Sequence, residues 1–419
     1  MTNSERWKED LIRLGELGRK VPVRIESREQ LQIDNGLYRL EGTEACIRSK
    51  AYVIQKMKAA GLNVRIDRIG NIFGRKEGSN ENLGAVMSGS HLDSVLNGGM
   101  FDGPLGVISA IEAVRRIDDE GFENKRAIEV AVFMGEEGSA FKKALFGSHV
   151  LVGDMPIDEA LAVKNEEGIT LKDALGQQRG DFEIDLNGID FFIETHIEQG
   201  PVLDRDNVSI GLVENITGMS WVNVILEGEE NHAGTTPMFD RKDPLVIGAE
   251  AVRFVDKRAK EMVKEFGGST VATVGKMVVT PGAPNIVPGK VEMGIDIRDG
   301  NRENMARLKN DIITGIENMA RQHGIKCTID TAFYHPPVPC SKTVVNVLEG
   351  AASSLGIDTR RMNSGAGHDA QNISKKVKTA MIFVPSVNGV SHSPFEWTDW
   401  PDVENGIKVL TWGIKTLSK

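Results

Sequence analysis

The segment GAVMSGSHLDSVLNGGMFDGPLGVISAIEAVRRIDDEG, residues 84–121, runs from small and apolar residues, through a glycine-rich loop, into apolar positions at helical spacing. A buried strand followed by a helix is the repeating unit of an α/β sheet, and here the loop between them carries His91, Asp93 and Asp102. Glycines beside ionisable side chains mark a place where the backbone must approach something closely: a metal, a phosphate or a tight turn.

Working outward, residues 44–60 show helical periodicity that stops at Gly61, and LNVRIDRIGNIFGRK (62–76) and AIEVAVFMG (127–135) read as strands. IDFFIET (189–195) and KTAMIFV (378–384) supply two more buried strands. The expected architecture is therefore α/β, a helix-flanked mixed sheet. Between these segments the pattern changes. MSWVNVILEG (strand), 243–265 (helix), STVATVGKMVV from Ser269 (strand), NIVPGKVEMGIDIR (strand), 301–323 (helix) and KCTIDTAF (strand) give the order βαββαβ. That is the ferredoxin-like split βαβ unit, an α+β arrangement able to bury its own core. The reading places one domain at 1–212 and 331–419, with an inserted domain at 213–330.

The bulk properties agree and exclude several functions. A chain of 419 residues exceeds the size at which one core keeps growing. Fifty basic against sixty acidic residues leave a net charge of −10, without a basic stripe bearing stacking aromatics, so a nucleic-acid role or attachment to an anionic membrane is not expected. No apolar run approaches the roughly 20 residues of a bilayer span. The amphipathic start MTNSERWKEDLIRLGELGRK lacks the features of a secretory signal, and a cytoplasmic location is expected. Cys46, Cys327 and Cys340 are too far apart for a C-x-x-C pair and read as free thiols.

The polar clusters fall at equivalent places on this scaffold. His91 follows one buried strand, Glu136 and Glu137 follow a second, His196 closes a third, and His392 lies beyond a fourth. In open α/β sheets ligands bind at the carboxyl ends of the strands. A histidine at one strand end is ordinarily hydrogen-bonded structure, a turn aspartate such as Asp102 is ordinary, and adjacent acids are usually a solvated loop. Their joint occurrence along one sheet edge points instead to a shared cleft with histidine and carboxylate ligands, an inventory suited to zinc, manganese, cobalt or nickel.

The motifs GSHLDSVLNGGMFDGPLGV, GEEGSAF, ETHIEQGPVLD, NHAGTTPM, PNIVPGKVEMGIDIRD, SGAGHDAQ and GVSHSPFEW occur in order along nearly the whole chain. Together they resemble the hydantoinase/carbamoylase branch of the dinuclear-metal amidohydrolases related to aminoacylases and carboxypeptidases. The resemblance implies two divalent metal ions, with Asp102 bridging them, His91 and His196 on one, and Glu137 and His392 on the other. It implies Asp93 as the carboxylate orienting His91 and Glu136 as general base. It further implies that the inserted domain is a lid that closes over the substrate and joins two chains as a homodimer.

From the same resemblance, His232, Asn285 and Arg298 of the inserted segment are expected substrate contacts, Arg298 as a two-donor fork for a carboxylate and His232 as a donor to a developing oxyanion. Gln199 and the GAGHDAQ segment with Gly367, His368 and Asp369 resemble the remaining wall. His149, His323 and His335 lie outside the motifs. One position departs: the branch commonly has arginine where this chain has Ala140, which bears on the shape of the pocket wall.

The implied reaction is hydrolysis of the ureido C–N bond of an N-carbamoyl-L-amino acid, giving the L-amino acid, carbon dioxide and ammonia. Allantoate amidohydrolase and β-ureidopropionase are the alternatives on another small ureido acid. A non-catalytic binding protein on the same fold is expected to have lost Glu136 or a metal ligand, and this chain retains each one.

Overall fold

In the computed structural model, which describes residues 5–267 and 270–419, the strands Ala85–His91 and Ile128–Phe133 are buried along their whole length. Runs of this kind suit a parallel sheet covered by other layers. They pair parallel to each other, Ala85–His91 pairs parallel to Ile189–Ile197, and Lys378–Val384 extends the parallel block on the far side of Ile189–Ile197. Antiparallel strands flank it: Ile72–Lys76 beside Ile128–Phe133 on one side, and Ile210–Ile216 beside Lys378–Val384 on the other. The sheet is therefore mixed and helix-flanked, as the sequence indicates.

Segment 62–76 resolves into two antiparallel strands, Asn63–Ile66 and Ile72–Lys76. The reversal is fixed by Asp67, whose Oδ1 accepts the N–H groups of Ile69 and Asn71 at 3.0 and 2.8 Å. Helix Pro104–Asp119 opens with proline in its first turn, a position where the missing N–H is harmless, and packs on the strand that precedes it. Helix Trp400–Leu417, whose apolar face carries Val403, Ile407, Leu410 and Ile414, packs against Pro104–Asp119.

The chain divides into two compact units. One comprises everything up to Glu214 together with Cys340–Met362 and His368–Lys419; the other comprises Asn215–Pro339 and the short segment Asn363–Gly367. In the second unit the strand read as ending at Phe333 continues to His335 and stops at consecutive prolines, which donate no ladder hydrogen bond. Its four long strands form an antiparallel sheet in the order Lys326–His335, Gly218–Glu227, Lys290–Asp299, Val271–Thr280. Val291, Met293, Ile295 and Ile297 alternate onto the buried face, where helices Pro244–Phe266 and Arg302–Gln322 complete a core of their own. The first residue of the strand read from Ser269 lies outside the described residues. Among the described residues no helix is long and apolar enough to cross a membrane.

Candidate metal centre

Four parallel strands deliver their carboxyl ends to one place in the first unit. His91 is the last residue of its strand, His196 is the penultimate residue of Ile189–Ile197, Glu136 follows Ile128–Phe133, and His392 follows Lys378–Val384. Asp102 comes from the loop after His91. Its carboxylate faces two ways: Oδ1 lies 3.4 Å from Nε2 of His91 and 3.2 Å from Nε2 of His196, while Oδ2 lies 3.4 Å from Nε2 of His392. Glu137 Oε2 is also 3.4 Å from Nε2 of His392. His91, Asp102 and His196 thus form one ligand group, and Asp102, Glu137 and His392 another.

The ring tautomers follow from the backbone. Nδ1 of His91 donates to the carbonyl of Asp93 at 3.1 Å, and Nδ1 of His196 to the carbonyl of Ile197 at 3.0 Å. A neutral imidazole that donates from Nδ1 presents a lone pair at Nε2. Both Nε2 atoms, and Oε1 of Glu137, are buried without a hydrogen-bond partner. Buried polar atoms are nearly always satisfied, so lone pairs converging around one carboxylate fit a divalent cation of the nitrogen- and oxygen-preferring kind.

Asp93 organises the neighbouring turn. Its Oδ1 accepts the N–H of Glu136 and its Oδ2 the N–H of Glu137, each at 3.1 Å. The two glutamates are thereby fixed side by side while their side chains diverge: Glu137 faces His392, and Oε2 of Glu136 lies 3.8 Å from Nε2 of His91. Gly103, at φ +84°, has the His91 ring where a Cβ would sit, 2.5 Å away, so only glycine lets the loop return this closely.

Charge crowding shows in the acidities of these groups. Burial works against ionised Asp102, but the imidazoles of His196, His392 and His91 gathered around it outweigh that and hold the carboxylate well below its ordinary range. Burial, with Asp102 adding to it, pushes Glu137 up to about 8. Burial also raises Glu136 well above the ordinary carboxylate range, with Glu137, Asp369 and Asp93 adding to it. The hydrogen bond to Asp102 raises His392 to about 9.

Of the wall residues, Gln199 stands at φ +59° and donates from Nε2 to Oδ2 of Asp102 at 2.7 Å. His368 is buried, its ring centroid 4.5 Å from that of His196, and burial holds it well below the ordinary histidine value. Asp369 is buried too and bonds Ser148 Oγ at 2.5 Å. Ala140 borders a small cavity with Glu41, Asp93 and Met134.

His232, Asn285, Arg298 and Gly367 belong to the second unit. There His232 and Asn285 are neighbours, the N–H of Ala233 donating to the carbonyl of Asn285 at 3.0 Å. Gly234 N–H donates to Nδ1 of the exposed His232 at 2.9 Å, which leaves Nε2 as the ring's donor. Arg298 is engaged by its strand neighbour Asp296, Nε to Oδ1 at 2.9 Å and Nη2 to Oδ2 at 3.2 Å.

Sequence reasoning missed the carboxylates that brace this centre. Glu194 accepts from Ser90 Oγ at 2.7 Å and from the N–H of Ala370 at 2.9 Å, linking the His91 strand, the His196 strand and the His368 segment. Glu396 bonds the backbone at Asp102. The available signal was position: Glu194 lies two residues before His196, and Glu396 lies within SHSPFEW, four residues after His392.

Residues 87–414 match the peptidase family M20/M25/M40. The N-carbamoyl-L-amino-acid amidohydrolase of Paenarthrobacter aurescens is 38% identical over 390 residues, spanning 92% of this chain and 94% of its own. The allantoate amidohydrolase of Bacillus subtilis (strain 168) is 35% identical over 382 residues, spanning 90% and 92%. A crystal structure of a hydantoinase/carbamoylase family amidase from Burkholderia multivorans superposes with a TM-score of 0.88 at 30% identity, covering 99% of this chain and 98% of that one. The chain belongs to the M20/M25/M40 peptidase family, whose members are metal-dependent hydrolases. Within that family it is an amidohydrolase acting on non-peptide C–N bonds.

Proposed function

We propose that the protein hydrolyses the ureido C–N bond of an N-carbamoyl-L-amino acid, releasing the L-amino acid, carbon dioxide and ammonia. The observation that carries the reading is the Asp102 carboxylate, one oxygen facing His91 and His196 and the other facing His392. Relatives named as N-carbamoyl-L-amino-acid amidohydrolases support the substrate class.

In this reading the centre takes two divalent ions of the zinc, manganese, cobalt or nickel type, with Asp102 shared, His91 and His196 on one side, and Glu137 and His392 on the other. Ions held there would supply the acidity of a water molecule and the polarisation of the scissile carbonyl. Glu136 accepts the water's proton and passes it to the leaving nitrogen, its place supported by the Asp93 clasp on its N–H. His232, donating through Nε2, stabilises the oxyanion. Arg298, released from Asp296, and Asn285 hold the substrate carboxylate end, and Gln199, Gly367 and His368 line the remainder.

We infer a homodimer through the second unit. Val271–Thr280 is one of the two edge strands of its sheet among the described residues and exposes Val271 and Val278, the kind of open edge that a second copy covers. Free cysteines support a reducing compartment such as the cytoplasm.

A second reading, allantoate as substrate, is favoured by the 35% identity to an allantoate amidohydrolase, close to that of the carbamoylase. The deciding experiment is ammonia release by the protein loaded with manganese or cobalt on N-carbamoyl-L-methionine and on allantoate, with a chelator control. Chelator-sensitive turnover of the carbamoyl amino acid is expected. Turnover of allantoate alone selects the second reading, and silence on both overturns the ureido assignment.

A further inference from the structure

Glu396 is buried, 1% exposed, and meets the Asp102 loop both directly and through Ser391. Its Oε1 accepts the backbone N–H of Phe101 at 2.9 Å and of Asp102 at 3.1 Å. Its Oε2 lies 3.0 Å from Oγ of Ser391, and that hydroxyl is in turn 3.1 Å from Oδ2 of Asp102, with one proton to give to either carboxylate. The approach is tight enough that a Cβ on Gly99 would fall 2.1 Å from the Glu396 carboxylate. The same chain segment carries His392, whose backbone stands at φ +52°, a conformation a non-glycine residue holds only when its surroundings fix it.

We propose that Glu396 is a positioning residue: it fixes the loop that presents Asp102 to the loop that presents His392, and so sets the spacing of the shared ligand and one terminal ligand of the metal centre. It touches neither substrate nor ion. A carboxylate suits the task because one oxygen receives two adjacent backbone donors while the other reaches the hydroxyl that contacts Asp102 itself. An alanine there leaves two buried N–H groups without acceptors. The inference rests on the dinuclear reading given above.

The test uses cobalt(II) alone, titrated into the chelator-stripped full-length protein and followed by its visible absorption, which reports ligand geometry, with thermal unfolding of each metal-free protein alongside. Supporting carboxylates around metal ligands are commonly worth 10- to 100-fold in affinity, so E396A is expected to bind cobalt at least about tenfold more weakly, with an altered spectrum. E396Q keeps an acceptor oxygen for the two amides and is expected within about threefold of the parent protein. E396A that unfolds at lower temperature yet binds cobalt with unchanged affinity and spectrum overturns the proposal, because a merely structural role moves only the first readout. Should E396A fail to fold, E396L and E396Q decide together, since both fill the site and only glutamine keeps an acceptor for the N–H groups of Phe101 and Asp102: weaker cobalt binding with a changed spectrum in E396L beside parent-like E396Q supports the proposal, and parent-like binding by E396L overturns it. A parent protein that binds no cobalt overturns the metal reading itself and this inference with it; normal parent binding beside indifferent variants overturns this inference alone.

Discussion

The backbone N–H of Glu136 donates to Oδ1 of Asp93 over 3.1 Å, across 43 residues of sequence. The other carboxylate oxygen takes the N–H of Glu137, and the Asp93 carbonyl takes Nδ1 of His91. One residue therefore sets the tautomer of a histidine on one strand and the placement of two glutamates after the next. Asp93→Ala should lower metal affinity by about 10- to 100-fold. Asp93→Asn, which keeps one carboxyl-type acceptor, should fall between. Metal content after dialysis against a graded chelator series checks both, and an alanine variant with parent-like retention refutes the role.

Glu136→Gln separates chemistry from binding. The amide keeps the shape and the Asp93 clasp, which acts on the backbone, but removes the proton acceptor. Turnover should fall by roughly 100- to 10,000-fold or more, while metal stoichiometry stays that of the parent. Near-normal turnover would mean that another group moves the proton.

What could be read in advance was whatever repeats or clusters locally. The parallel strands were legible because burial along their whole length leaves continuous apolar runs such as AIEVAVF, and the βαββαβ order because amphipathic periods alternate. His91, Glu136, Glu137, His196 and His392 could be placed along one sheet edge because each sits at or beyond the end of a buried strand, whereas Asp102, in the loop after His91, stood out only through the motif resemblance. The Asp67 turn was hidden inside one long strand-like segment, since a single aspartate bonding its own backbone leaves no mark on hydrophobic periodicity. Glu194 and Glu396 were hidden for another reason: a carboxylate that braces backbone amides is chemically identical in sequence to one that faces water, and only the fold shows that Glu396 meets a loop almost three hundred positions away.

Two glycines at positive φ give a matched pair. Gly103 (φ +84°) faces the His91 ring, whereas Gly121 (φ +63°) has nothing within 4 Å of the site of a Cβ. Both alanine variants carry the cost of a positive φ, and Gly103, at ψ −61°, lies outside the left-handed helical well as well. Only Gly103→Ala should also displace an imidazole, so it should lose metal affinity while Gly121→Ala retains it. Equal affinities in the two variants would show that the His91 ring can move aside at little expense.

Behind the metal centre, where Glu41 borders the same small cavity as Asp93, Lys50 and Glu41 form an ion pair of 2.6 Å with side chains only 6% and 3% exposed. Burial works against the Lys50 ammonium, but Glu41 outweighs it and raises its pKa. A lysine raised on folding contributes stability that is fully present below its unfolded value of about 10.4 and is lost only as pH rises through the still higher folded value, so the pair is intact throughout the neutral range. Lys50→Met leaves Glu41 buried without its cation and should destabilise the protein by about 3–5 kcal/mol at neutral pH, measured by urea unfolding. The double variant Lys50→Met with Glu41→Leu removes both charges and should recover much of that loss, because the penalty of the single change is the stranded carboxylate and not the missing attraction. A double variant as unstable as Lys50→Met alone would place the loss in packing of the lysine stem instead.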